Sequence, residues 1–238
     1  MSLAGRGVLV TRPRGLAEAF AAALERRGAR ALVFPAIDIQ PLPVPPALRR
    51  AADYDLAIFV SPSAVRVASP HIAAWPPAVA AIGSGTRREL ANLGIRNIVA
   101  PHGGADSEAL LAELPDVAGK RILIVRGEGG RALLGDTLGA RGATVEYAEC
   151  YRRARPPSDP SALLNAWHQV HAVTVSSTEG FDNLLAILGA GWLATPIFVP
   201  HPRIADHARA RGAAQVLVAG PGDDETIERL VAYFHGRD

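Results

Sequence analysis

Residues 122–134 read ILIVRGEGGRALL: four apolar residues, Arg126, a glycine-rich turn, then a stretch with helical character. Gly127, Gly129 and Ala132 fit G-x-G-x-x-(G/A), and Glu146 follows about twenty residues on, as in the dinucleotide-binding fingerprint. The rest of the chain supplies a test of that reading. A gapless shift of 114 residues lays VLVTRPRG (8–15) on this stretch and carries the match through 8–37 on 122–151. Leu9 falls on Leu123, Arg12 on Arg126, Gly15 on Gly129, Leu24 on Leu138, Arg27 on Arg141, Gly28 on Gly142 and Ala29 on Ala143. In the first copy the turn is TRPRG, with a proline and an arginine where a dinucleotide fold wants its first glycines. The arginine at the crest is shared by both copies.

Looser matches set LAIFVSPS (56–63) on AVTVSST (172–178), and IGSGTRRELANLGIRNIVA on VPHPRIADHARARGAAQVLV. The chain therefore reads as two copies of one five-strand α/β unit. Strands are expected at 7–11, 29–36, 56–61, 78–83, 96–101, 122–127, 143–150, 172–177, 196–200 and 214–220. Helices are expected between them at 16–28, 86–94, 131–142, 179–189 and 203–212, several ending at glycine. Apolar strands alternating with helices mean parallel sheets covered on both faces.

Composition narrows the function classes. Of 238 residues, 49% are hydrophobic and 5% aromatic, so a core of Ala, Val, Leu and Ile is expected. Lys120 is the only lysine among 25 basic residues, which disfavours Schiff-base chemistry and favours recognition of carboxylate or phosphate by guanidinium forks. A net charge of +2 is too small for a dedicated nucleic-acid binder. Cys150 is the only cysteine, so an intrachain disulfide or a Cys-based zinc site is excluded. No apolar run approaches a membrane span, and MSLAGRGVLV lacks a signal-peptide layout, so a cytoplasmic protein is expected. His168 and His171 have no companion ligand nearby in sequence, and no metal site is expected.

Eight motifs occur in order: VLVTRP, FVSPSAV (59–65), AIGSGTRREL (81–90), DSEALL (106–111), LIVRGEGGR (123–131), ECYRR (149–153), VSSTEGFDNLL (175–185) and VPHPRIA (199–205). Together, and over essentially the whole chain, they resemble the bacterial uroporphyrinogen-III synthase family. The resemblance implies two flavodoxin-like parallel-sheet domains with exchanged halves. Mapped here, these are 1–36 with 156–238, and 44–148, joined by an antiparallel two-stranded ladder of 37–43 and 149–155. It also implies the activity: cyclisation of the linear tetrapyrrole hydroxymethylbilane to uroporphyrinogen III, with loss of water and inversion of the terminal ring, in a cleft between the domains. No cofactor is implied, and a monomer is the default expectation.

Such a substrate carries eight carboxylates, which suits turns at strand ends where helices present free N–H groups. The residues expected to hold it are Thr11, Arg12, Ser61, Ser63, Gly83, Ser84, Thr86, Arg126, Gly127, Ser176, Ser177, Thr178 and His201. Ser and Thr at these turns have the alternative role of helix caps. For the arginines the alternative is tying a turn to an acid, such as Glu128 for Arg126. The resemblance also places a tyrosine at 151. A phenol keeps its proton at neutral pH and can donate it to a leaving hydroxyl, so Tyr151 is the candidate general acid, the alternative being a packed strand residue. Arg152, Arg153 and Arg155 form a solvated face that can raise the local positive potential. Two rival functions stand beside this one: a nicotinamide-dependent oxidoreductase on residues 127–132 with Glu146, and a non-enzymatic two-lobed binding protein.

Overall fold

A computed structural model describes residues 2–104 and 106–235. Its strands are β1 (Gly7–Val10), β2 (Arg30–Val33), β3 (Asp38–Pro41), β4 (Leu56–Phe59), β5 (Ala78–Ala81) and β6 (Ile98–Val99), then β7 (Arg121–Gly127), β8 (Thr144–Ala154), β9 (Ala172–Thr174), β10 (Ile197–Val199) and β11 (Val216–Val218). The helices are α1 (Arg14–Arg26), α2 (Pro46–Arg49), α3 (Pro62–Ala68), α4 (Ser84–Asn92) and α5 (Ser107–Glu113), then α6 (Leu133–Ala140), α7 (Ser161–Asn165), α8 (Thr178–Leu188), α9 (Pro202–Ala210) and α10 (Asp223–His235). Every expected strand and helix forms with shifted ends: most strands are shorter, β8 runs on to Ala154, and α1, α4, α8 and α9 start one or two residues early. Of the expected glycine stops, Gly28 and Gly142 hold equivalent places in the two copies, with φ of 86° and 88°. Their left-handed backbone ends α1 and α6 in the same way.

The chain divides into two compact units, Met1–Asp38 with Ala154–Asp238, and Ile39–Arg153. The sheet of the first has the order β2-β1-β9-β10-β11, with parallel pairing throughout. The sheet of the second has the order β8-β7-β4-β5-β6, again parallel, with β3 added beyond β8. The sequence repeat equates β7 with β1, β8 with β2, β4 with β9, and β5 with β10. Both sheets then read 2-1-3-4-5, the flavodoxin-like order. In each, strands 1 and 2 come from one part of the chain and strands 3 to 5 from another. Segments 37–43 and 149–155 contribute to the second sheet itself: β3 lies beside β8, and the Leu42 N–H donates to the Cys150 carbonyl at 3.0 Å.

Central strands are buried on both faces, as parallel sheets require. Along β1, Leu9 enters one core layer with Phe181 and Val199, while Val8 and Val10 enter another with Phe20 and Phe234. Along β7, Leu123 and Val125 pack with Phe59 and Ala64, while Ile122 and Ile124 pack with Leu110 and Leu138 on the opposite face. No helix is expected beyond residue 212, yet α10 covers 223–235. Ile227, Leu230, Val231 and Phe234 form its buried stripe, and Asp223, Asp224 and Glu225 its first turn. The spacing is helical and the acids suit a helix N-terminus.

Candidate active site

In a 2-1-3-4-5 sheet the ligand crevice lies beyond the carboxyl ends of strands 1 and 3. In the second unit these are β7, ending at Gly127, and β4, followed by Val60 and Ser61. Ser61 has extended backbone (φ −165°, ψ 158°) and caps α3: its Oγ accepts from the Ala64 N–H at 2.9 Å, with Pro62 in the first turn. The same Oγ lies 2.9 Å from the Tyr151 hydroxyl oxygen.

A fault in the strand pairing directs Tyr151 there. β7 and β8 pair evenly from Arg121↔Thr144 to Arg126↔Glu149, and the next partner of Gly127 is Tyr151. Cys150 is the extra residue of a β-bulge. Strict alternation would send Cys150 and Tyr151 to opposite faces; with the bulge both are buried in the layer that holds Phe59 and Ala64. The Tyr151 ring then lies against the Gly127 backbone, so closely that a Cβ on residue 127 would stand 2.6 Å from Tyr151 Cζ. Tyr151 is 3% exposed. Its hydroxyl end meets the half-buried Ser61. Burial also pushes the Cys150 thiol up to about 11, leaving it a protonated packing group.

The two duplicated arginines are held alike. Arg126 lies over the Tyr147 ring at 3.9 Å and Arg12 over Phe20 at 4.2 Å. The acid that pairs with Arg126 is Glu149 in the adjacent strand, not Glu128: Nε and Nη2 reach Glu149 Oε1 at 3.0 and 2.8 Å. Its Nη1 donates to the carbonyls of Gly130 and Arg131 at 3.2 and 3.3 Å. Nη1 thus staples the glycine turn, while Nε and Nη2 tie it to the adjacent strand β8. Arg12 commits Nη1 to Asp223, at the start of α10. It also lines a small cavity with Ser176, Phe198, Pro200 and Thr226, at the carboxyl ends of β1, β9 and β10.

Other expected contacts divide into caps and buried groups. Ser177 caps α8 by accepting from the Gly180 N–H at 3.0 Å. His201 caps α9, its Nδ1 accepting from the Arg203 N–H at 3.1 Å. Ser176 is exposed, and Thr178 is the first residue of α8. Gly83 is the cap of α4 without a side-chain bond, which makes Ser84 a first-turn residue and leaves Thr86 buried. Ser63 is buried too. Thr11 turns inward: its hydroxyl donates to the Thr174 carbonyl at 2.7 Å, while Thr174 donates to the Leu9 carbonyl at 3.0 Å. The Thr11 hydroxyl is therefore occupied within the sheet. His171 Nδ1 accepts from the Gly7 N–H at 2.9 Å. Among the described residues, no group of three or more His, Cys, Asp or Glu could hold a metal ion, and no helix is long and apolar enough to cross a membrane.

The dinucleotide reading fails on geometry. Glu146 pairs with Leu123, four residues before Gly127, which puts it roughly 13 Å down the sheet from the turn. There it accepts from the Tyr54 hydroxyl and faces Arg50 at 3.8 Å. Arg126 already binds two carbonyls of the turn. Sequence reasoning missed Glu149, Asp223, Tyr147, Phe20 and the Cys150 bulge. The consecutive apolar pair Cys150–Tyr151 within β8 was a local signal of the bulge.

Comparison with known proteins bears on the family of the chain. A family model described as uroporphyrinogen-III synthase HemD matches residues 18–232. The uroporphyrinogen-III synthase of Escherichia coli K12 is 34% identical over 243 residues, covering 94% of this chain and 99% of that protein. That of Synechococcus elongatus is 34% identical over 212 residues, covering 81% and 80%. Among solved structures, the enzyme of Helicobacter pylori aligns with a TM-score of 0.61 at 13% identity over 96% of this chain and 99% of that one. A mutant enzyme of Thermus thermophilus aligns with a TM-score of 0.59 at 21% identity over 98% and 100%. These two similarities speak to the fold alone. The family match over most of the chain and the near full-length identity to bacterial relatives show that this chain belongs to the uroporphyrinogen-III synthase family.

Proposed function

We propose that this chain cyclises hydroxymethylbilane to uroporphyrinogen III, with Tyr151 as general acid. The hydroxyl pair Ser61–Tyr151, beyond the carboxyl ends of β4 and β7, is the observation that carries the assignment of the acid. The C–O bond of the hydroxymethyl group breaks as the pyrrole nitrogen pushes electrons in. The hydroxyl leaves as water with the Tyr151 proton, giving an azafulvenium cation and a tyrosinate. The cation is attacked by the substituted α-carbon of the terminal pyrrole. The older bond from that carbon to its methylene bridge breaks to give a second azafulvenium, and this closes on the ring's free α-carbon. The proton lost on rearomatisation restores the phenol. The net change is loss of one water.

The substrate also closes spontaneously to the un-inverted isomer, so the enzyme has to select a product more than create reactivity. A hundredfold preference needs about 2.7 kcal/mol of differential transition-state stabilisation. Of the duplicated arginines, Arg12 is the one assigned to a substrate carboxylate, because only its Nη1 is bound to an acid and it lines a cavity. Arg126 is assigned to holding the turn. The capped strand ends at Ser177 and His201 supply further polar contacts.

The test is to give hydroxymethylbilane to the purified protein, oxidise the product and separate the porphyrin isomers. Isomer III is expected; isomer I alone, at the uncatalysed rate, refutes the activity. Tyr151→Phe should lower kcat by about a hundredfold, the low end of general-acid contributions, and shift product toward isomer I. NADH or NADPH should leave the melting temperature unchanged.

A further inference from the structure

We propose that Ser61 is a positioning residue for Tyr151, supporting the phenol as its proton leaves, and not a substrate contact in its own right. The inference rests on the reading of Tyr151 as the acid.

A hydroxyl has one hydrogen and two lone pairs. The Ala64 N–H at 2.9 Å takes one lone pair of Ser61 Oγ and fixes the atom at the head of α3. Extended backbone at the cap aims that atom at Tyr151 Oη, 2.9 Å away. Tyr151 has little freedom to move off it, because the ring is buried, its other side lies on Gly127, and the bulge sets its direction. With the Ser61 hydrogen given to Tyr151 Oη, the phenolic hydrogen is left to point at a ligand oxygen. When the phenol gives up that hydrogen, the bond from Ser61 ends on a tyrosinate and becomes charge-assisted, roughly twice as strong as its neutral counterpart. It therefore strengthens along the reaction coordinate, which lowers the barrier and leaves ground-state binding unchanged. A substrate contact would show in KM; this arrangement shows in kcat.

The experiment uses the full chain with hydroxymethylbilane and five variants. Ser61→Ala should lower kcat about tenfold with KM within twofold, and Ser61→Thr, which keeps both cap and hydroxyl, should return kcat to within about threefold of the parent. Loss of the cap could unfold Ser61→Ala, so Ser61→Asp serves as the second probe. It keeps the cap but has no hydrogen to donate, and should lose at least as much kcat as alanine. In a Tyr151→Phe background, Ser61→Ala should cost nothing more. A raised KM with kcat preserved, parental kcat in Ser61→Asp, or a full multiplicative loss on top of Tyr151→Phe each overturns the role of Ser61 while leaving Tyr151 as the acid. Parental turnover in Tyr151→Phe alone refutes the acid and the role of Ser61 together.

Discussion

Replacing Gly127 by alanine probes the point where backbone, bulge and acid meet. The added Cβ would stand 2.6 Å from Tyr151 Cζ, 2.7 Å from Cε2 and 3.0 Å from the hydroxyl oxygen. Carbon atoms rest at about 3.5 Å or more, so the ring has to retreat by about 1 Å. It retreats into a layer already filled by Phe59, Ala64 and Ala148. Overpacking of this kind costs about 1–3 kcal/mol. Moving the hydroxyl off Ser61 removes a hydrogen bond worth about 1 kcal/mol, for a total of roughly 2–4 kcal/mol. The same displacement should lower kcat by about a hundredfold, the usual penalty for a reacting group 1 Å out of place. Urea unfolding and isomer-resolved kinetics on one preparation read both quantities. Gly129→Ala separates backbone strain from the clash: its φ is 72° but nothing lies within 4 Å of the new Cβ, so a stability loss of about 1–2 kcal/mol is expected with Tyr151 left in place. Removing the ring by Tyr151→Ala should make Gly127→Ala nearly cost-free in the double variant. A Gly127→Ala protein with parental midpoint and parental kcat would refute the account of how Tyr151 is held.

Other expectations follow from the same contacts. Arg126→Lys should lose about 2–3 kcal/mol in urea unfolding, because a point charge cannot bridge Glu149 and the carbonyls of Gly130 and Arg131 at once. Burial, followed by the hydrogen bond to Glu146, raises the Tyr54 phenol from the usual 10 to about 12. The unfolded chain ionises first, so the stability this group contributes is whole below pH 10 and is lost as pH rises through about 12; Tyr54→Phe should flatten that decline in pH-dependent urea titrations. Cys150 is 2% exposed with its thiol raised to about 11, so iodoacetamide at pH 8 should label it only after denaturant unfolds the chain. Gly135→Ala should destabilise, since its Cβ would fall 1.9 Å from the Tyr147 hydroxyl oxygen; a parental melting curve would show that Tyr147 has another place to go.

The strands, the shared turn arginine and the internal repeat were all legible in the sequence, whereas the exchange of halves came only from the family resemblance. Period-two and period-3.6 patterns and glycine stops are properties of a few neighbouring residues, and duplicated segments carry them twice. The α10 pattern was equally local, with Ile227, Leu230, Val231 and Phe234 on one stripe. Two of the candidate hydroxyls, Ser61 and Ser177, carried their capping role in their residue type. What the sequence could not decide is which partners meet. Asp223 lies 211 positions from Arg12, and nothing local marks Glu149 above Glu128 as the partner of Arg126. One inserted residue at Cys150 determines that Tyr151 lies over Gly127 and meets Ser61, 90 positions away, instead of facing the other side of the sheet. Strand pairing fixes the face of every side chain that follows it, and pairing is settled by the whole sheet. The sequence alone determined the kind of sheet and the kinds of residue at its ends; the tertiary structure decided which of them touch.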